Sequence, residues 1–277
     1  MVSMATEAFD DDLIRFAEEG GAPLPRTDDQ GYVECDGARI WYSAYGSGEP
    51  VILLHGGQGH GGNFGAQVSA LVDAGYRAIL IDSRGHGRST RDSRPFSYDL
   101  MAEDTLAVMD ALGIDRAAFI GWSDGAVVSL AIGMRAPERT AGVFFFACNV
   151  NDAGTKDFVY TEILGRCMSR HIKDYTELSS TPDDFKAFAD AVQLMQGTQP
   201  NYSDEQLAAV TVPFLSILGR NDEFIKVEHA EYLARVIPDA KLLILEDVTH
   251  FAPIQRPALF NDAVLGFLEE IGLRRAS

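Results

Sequence analysis

The chain has 277 residues, 46% of them hydrophobic and 23% charged, enough for one sizeable domain with a small insertion. Its formal net charge of −18 excludes the basic footprint of a nucleic-acid binder and disfavours adsorption to anionic membranes. Cys35, Cys148 and Cys167 form no Cys-x-x-Cys pair and read as buried free thiols.

In chain order, residues 4–19 are expected to form a short acidic helix. Asp10, Asp11 and Asp12 carry the wrong charge for a secretory leader, and no apolar run reaches membrane-spanning length, so a cytoplasmic location is expected. Residues 20–30 read as a Gly/Pro linker, making 1–30 an N-terminal extension that either packs on the outside or frays. Alternation over 32–45 around Asp36-Gly37 predicts a β-hairpin. Strands and helices then alternate: a strand at 51–54, a helix at 64–73 closed by Gly75, a strand at 78–81, and an amphipathic helix at 100–112 stopped by Gly113. After a strand at 117–120 and a buried helix at 126–132 come strands at 142–146, 213–218 and 241–245. A helix at 257–271, ended by Gly272, closes the chain. Such alternation predicts an α/β fold, with a mostly parallel central sheet and helices on both faces.

Residues 151–210 break the rhythm with three helical stretches and no strand. Thr181-Pro182 reads as an N-cap followed by proline at the first helical position, and Ser203 to Gln206 as a capping box. The expected organisation is therefore a core of 31–150 and 211–277, with 151–210 as a helical cap over the C-terminal edge of the sheet.

Gly121-Trp122-Ser123-Asp124-Gly125 has the form Gly-x-Ser-x-Gly between a strand and a helix. A sharp turn there presents the serine hydroxyl, and the glycines are needed because strand and helix pass too close for side chains. A base and an oriented carboxylate are required to activate it. His250 follows the last strand and so lies at the same sheet edge; His55, His60, His86, His171 and His229 are the structural alternatives. Asp222 follows a strand end, whereas Glu223, Glu246 and Asp247 read as solvated loop charges. Ser123, Asp222 and His250 occur in the chain order of a nucleophile, an orienting acid and a base. Backbone donors for an oxyanion are expected at Asp124 and, because glycine allows close approach, at Gly57. Each donor is worth about 3–4 kcal/mol in the transition state. Gly56, Trp122, Asp124 and Phe251 are expected in the substrate pocket.

With His55-Gly56-Gly57, the run Asp82 to Ser89, and Ala136-Pro137-Glu138-Arg139, these residues make the chain resemble the α/β-hydrolase superfamily from about Tyr32 to its end. Within it, Gly-Trp-Ser-Asp-Gly with Asp222 and His250 is similar to valacyclovir-hydrolase-like esterases; the loop after His55 is longer in glycines, and the cap has no residue-by-residue match. The resemblance implies a cofactor-free serine hydrolase of a small carboxylic ester, lactone or amide, acting through an acyl-enzyme. Serine at the elbow disfavours epoxide hydrolases and haloalkane dehalogenases, which use aspartate there. C–C bond hydrolases and perhydrolases use the same triad, and a non-catalytic small-ligand receptor on this scaffold is the alternative from another class.

The expected partner is a small-molecule substrate, with no nucleic acid and no membrane; a homo-oligomer is left open. A dinucleotide reading of Gly57-Gln58-Gly59-His60-Gly61-Gly62 with Asp82 is the weaker rival. A metal at His55 and His60 is not expected, since no third ligand is suitably spaced. Asp124 is expected either to turn away and bond nearby backbone or a loop arginine, or to face the pocket and pair with a substrate amine.

Overall fold

The computed structural model describes residues 13–274. The part of the expected first helix at 4–12, with Asp10, Asp11 and Asp12, lies outside the described residues. Its remainder is helix α1 (Leu13–Glu19), which buries Leu13 and Phe16.

A hairpin follows, β1 (Gln30–Cys35) and β2 (Ala38–Tyr45), closed by a two-residue turn in which Asp36 and Gly37 both take positive φ. That is why an Asp-Gly pair marks it in the sequence. The chain continues through β3 (Pro50–Leu54), α2 (Gly65–Asp73), β4 (Arg77–Ile81), α3 (Tyr98–Ala111), β5 (Ala117–Trp122), α4 (Asp124–Arg135) and β6 (Thr140–Phe146). After an all-helical stretch come β7 (Phe214–Gly219), α8 (Val227–Val236), β8 (Lys241–Leu245), α9 (Ala252–Gln255) and α10 (Pro257–Glu270).

The eight strands among the described residues form one sheet in the order β1-β2-β4-β3-β5-β6-β7-β8. β2 pairs antiparallel with β1 and β4, and all other pairs are parallel. The inner strands are apolar on both faces. Phe145 packs with Ile52, Ile79 and Phe119 on one side, while Phe144 and Phe146 pack with Val51, Leu53 and Ile120 on the other. Helices α3 and α4 cover the first face, and α2 and α10 the second. Each fully buried large side chain contributes about 1.5–3 kcal/mol, so the continuous apolar runs read as strands are the main source of stability.

The strand order places the site. From β3 the chain goes outward to β4, then crosses back to β5 on the other side of β3. The loops leaving β3 and β5 therefore diverge and open a crevice at the C-terminal edge of the sheet, the usual ligand position in an open α/β sheet.

Between β6 and β7 lie α5 (Glu162–Leu178), α6 (Phe185–Gln196) and α7 (Asp204–Ala208), with one isolated bridge between Thr155 and Ile225. Thr161 caps α5 by accepting the Leu164 amide at 3.1 Å, and Ser203 with Gln206 forms the expected capping box on α7. The expected cap at Thr181 is not made. Pro182 opens a short 3-10 turn instead, and the Thr181 hydroxyl pairs with Tyr175 and Ser179. Tyr175 of α5 stacks on Phe188 of α6, fixing the two helices to each other.

Candidate active site

Ser123 sits between β5 and α4 with φ 53° and ψ −122°, a left-handed backbone that costs a non-glycine residue about 1–3 kcal/mol. The flanking glycines explain how such a turn fits. A Cβ on Gly121 would lie 2.4 Å from Ala126 Cα, and one on Gly125 only 2.0 Å from the Leu54 carbonyl. The Ser123 amide is held by the Phe146 carbonyl at 2.8 Å, so the elbow is tied to the neighbouring strand.

Asp222 lies in the loop after β7 and is buried. Its Oδ1 accepts the amides of Phe224 and Ile225 at 2.8 and 2.7 Å, which leaves Oδ2 for His250 Nδ1 at 2.9 Å. This contact occupies one ring nitrogen, and His250 lines the same cavity as Ser123. Burial pushes the His250 imidazolium toward losing its proton, but Asp222, Glu223 and Asp124 outweigh it and hold the pKa above the ordinary value. Trp122 Nε1 donates to the His250 carbonyl at 2.8 Å, joining the elbow to the histidine loop.

Glu223 is not a solvated loop charge: it is half-buried, and its Oε2 accepts the His250 amide at 2.9 Å. Burial raises its pKa. Glu246 and Asp247 are exposed, Glu246 pairing with Arg220.

The cavity is about 530 Å³ and is lined by Ser123, His250, Gly56, Gly57, Trp122, Asp124 and Phe251, all singled out from sequence. Asp222 stands behind His250 and is not a lining residue. A Cβ on Gly56 would meet Ser123 Cβ at 3.2 Å, and one on Gly57 would meet Asp124 Oδ2 at 2.6 Å, so both glycines allow close approach to the elbow. Asp124 is the first residue of α4, where an amide has no intrahelical acceptor.

The Asp124 carboxylate bonds neither backbone nor an arginine. It accepts the Tyr98 hydroxyl at 2.9 Å and the Gln196 amide at 3.0 and 3.2 Å, partners from α3 and α6. Burial raises its pKa against these hydrogen bonds. Tyr98, Gln196, Cys148 and His171 also line the cavity, where the sequence placed none of them. They arrive from separate elements, and no local motif surrounds them. Cys148 is buried beside Asp124, and burial holds its thiol well above the usual range.

The rival sites do not assemble. Asp82 is fully buried and spends both oxygens on protein, Oδ1 on the Gly61 amide at 2.7 Å and Oδ2 on the Arg88 amide at 2.8 Å. It has no free oxygen for a ribose hydroxyl. His55 is committed to the Gly56 carbonyl and the Ser83 amide, and no group of three metal-binding side chains occurs among the described residues. Nor, among them, is any helix long and apolar enough to cross a membrane.

The family described as the alpha/beta hydrolase fold matches residues 49–156. A 2-hydroxy-6-oxononadienedioate/2-hydroxy-6-oxononatrienedioate hydrolase of Klebsiella pneumoniae is 30% identical over 83% of this chain and 91% of the relative. RutD of Azorhizobium caulinodans, named as a carbamate hydrolase, is 27% identical over 87% and 98%. The solved structure of Est816, described as an N-acyl homoserine lactone degrading enzyme, is 28% identical, with a TM-score of 0.67 over 86% of this chain and all of that one. These relatives are hydrolases, and the chain itself belongs to the alpha/beta-hydrolase fold family.

Proposed function

We propose that the protein is a serine hydrolase that cleaves a small carboxylic ester, lactone or amide through an acyl-enzyme, without a cofactor. The carrying observation is the 2.9 Å contact from Asp222 Oδ2 to His250 Nδ1 in a cavity shared with the strained Ser123. With Nδ1 so engaged, Nε2 is the nitrogen that takes the Ser123 proton as Oγ attacks the carbonyl carbon. The tetrahedral oxyanion is held by the amides of Gly57 and Asp124. His250 returns the proton to the leaving alcohol or amine, then activates water to release the acid and regenerate Ser123.

The cavity also bears on substrate charge. Asp124 is a buried carboxylate with neutral hydrogen-bond partners, and among the described residues Lys156 is the one Lys or Arg in the lining; its Nζ already donates to the Asp222 carbonyl at 2.6 Å. A neutral or cationic substrate suits this lining better than a dicarboxylate, whose charge would be repelled. A C–C bond hydrolase is the second reading, favoured by the name of the 30% identical relative, but that relative's named substrate is a dioate.

A fluorophosphonate should label Ser123, and Ser123→Ala should abolish labelling and lower hydrolysis by several powers of ten with folding intact. Labelling elsewhere would overturn the assignment. Many turnovers on short p-nitrophenyl esters separate an enzyme from a receptor, which would give a single burst. Faster turnover of a 2-hydroxy-6-oxo-dienoate than of any ester, lactone or amide would favour the second reading. If Asp124 pairs with a substrate amine, amino-acid esters should outpace their N-acetyl forms, and Asp124→Asn should erase the difference.

A further inference from the structure

We propose that His171 is a specificity determinant of this cavity, where its imidazole receives an uncharged hydrogen-bonding group of the substrate, a carbonyl or a hydroxyl. The proposal rests on the reading above, in which the cavity holds the substrate of Ser123.

His171 belongs to the buried stripe of α5, with Leu164, Cys167 and Tyr175. It is 5% exposed and lines the cavity. Its Nδ1 is enclosed and finds no hydrogen-bond partner among the described residues. An unmet buried polar group costs about 1–3 kcal/mol, so a histidine left in this state calls for a ligand or a packing reason.

The other histidines differ. His55 bonds the Gly56 carbonyl and the Ser83 amide, His229 Nε2 accepts the Val150 amide, and His250 is held by Asp222. His60 Nδ1 accepts the Gly62 amide, and its Nε2 lies 3.3 Å from Asp174. His86 also has an unpartnered nitrogen, Nε2, but its ring is packed against Phe96 and Phe188 and does not line the cavity. His171 alone among the six combines an unpartnered ring nitrogen with a place on the cavity wall.

The ring is neutral at neutral pH. Burial pulls its pKa down to about 4; Asp174 opposes this, while His60, His55 and Arg170 add to it. Asp174 is itself engaged by Arg170 on the same helix. A neutral imidazole offers one N–H and one lone pair, which suit a carbonyl or a hydroxyl. A carboxylate would have to share the cavity with Asp124. The packing explanation makes a different forecast: Phe16 meets the His171 ring edge-on at 6.1 Å, so a phenylalanine would serve as well.

The test uses matched p-nitrophenyl esters, each straight-chain alkanoate paired with the same chain carrying one ketone or hydroxyl, over several lengths. A second set carries the ketone or hydroxyl in the alcohol portion of alkyl acetates. The unmodified protein should prefer the polar member of at least one pair. His171→Phe should cut that kcat/KM ratio about tenfold, the loss of one hydrogen bond. Fluorophosphonate labelling of Ser123 should be retained in the variant, which shows that the nucleophile is still activated. His171→Leu carries the same test should the phenylalanine variant fail to fold. Equal ratios in the unmodified protein and the variant, or no polar preference in any pair, with Ser123 still labelled, would overturn the proposal. Absence of Ser123 labelling in the unmodified protein is a separate failure, of the underlying function.

Discussion

Glu223 Oε2 accepts the backbone N–H of His250 at 2.9 Å, so consecutive carboxylates hold one histidine, Asp222 by its ring and Glu223 by its main chain. Asp222, Glu223 and Asp124 all raise the pKa of His250 against burial. Glu223→Gln keeps an acceptor but removes a charge. We expect the acid limb of its kcat/KM profile to move to lower pH with the plateau little changed, while Glu223→Ala should also lose about tenfold in kcat. An unmoved acid limb in Glu223→Gln would reduce Glu223 to a structural anchor.

Asp222→Asn should lower kcat by roughly 10³–10⁴-fold, because an amide at that position favours the wrong imidazole tautomer. Asp247 is exposed, and the ring nitrogen Nδ1 of His250 is held by Asp222 instead, so Asp247→Asn should change kcat less than about twofold. In the unmodified protein the base must be neutral, so activity should fall on acidification with a midpoint above the ordinary imidazole value of about 6.5. A reversed mutant ranking, or a flat profile from pH 5 to 8, would remove the Asp222–His250 assignment.

The elbow has no room for a Cβ at either flanking glycine. Gly125→Ala would put a methyl carbon 2.0 Å from the Leu54 carbonyl oxygen, backbone that cannot rotate away. A loss of about 3 kcal/mol or more is expected, read as a lower denaturation midpoint. Gly266 in α10 is the control: a Cβ there meets nothing within 4 Å, so Gly266→Ala should stabilise by about 0.5–1 kcal/mol. Equal effects of the two changes would contradict the packing of the elbow.

Acid should unfold the protein partly through its buried histidines. Burial lowers the pKa of His55, His171 and His229 to about 4 and that of His86 to about 3, against about 6.5 in an unfolded chain. Between pH 6.5 and about 4 the unfolded chain binds protons that these native histidines refuse, so their contribution makes stability rise with pH and fall on acidification. Denaturant midpoints measured across this window should show the slope, and His171→Phe should make it shallower by removing one of the four contributions. An identical slope in that variant would mean that His171 titrates alike folded and unfolded.

The strand runs, the Asp36-Gly37 turn and the glycine-flanked serine were legible from local sequence, because each obeys a short-range rule: burial on both faces, φ above zero, or lack of room for a side chain. Strand order then carries Ser123, Asp222 and His250 to one edge, which the alternation of strands and helices already implied. Tertiary packing alone decided the rest. Glu223 reads as a surface charge until the loop after β8 brings the His250 amide to it, and Asp124 obtains Tyr98 and Gln196 from residues 26 before and 72 after it in the chain. His171 is one of several buried positions on an amphipathic helix until the sheet edge opposes it across a cavity. Side-chain partners so distant in sequence leave no periodic trace; they are fixed by how the helical insert meets the sheet.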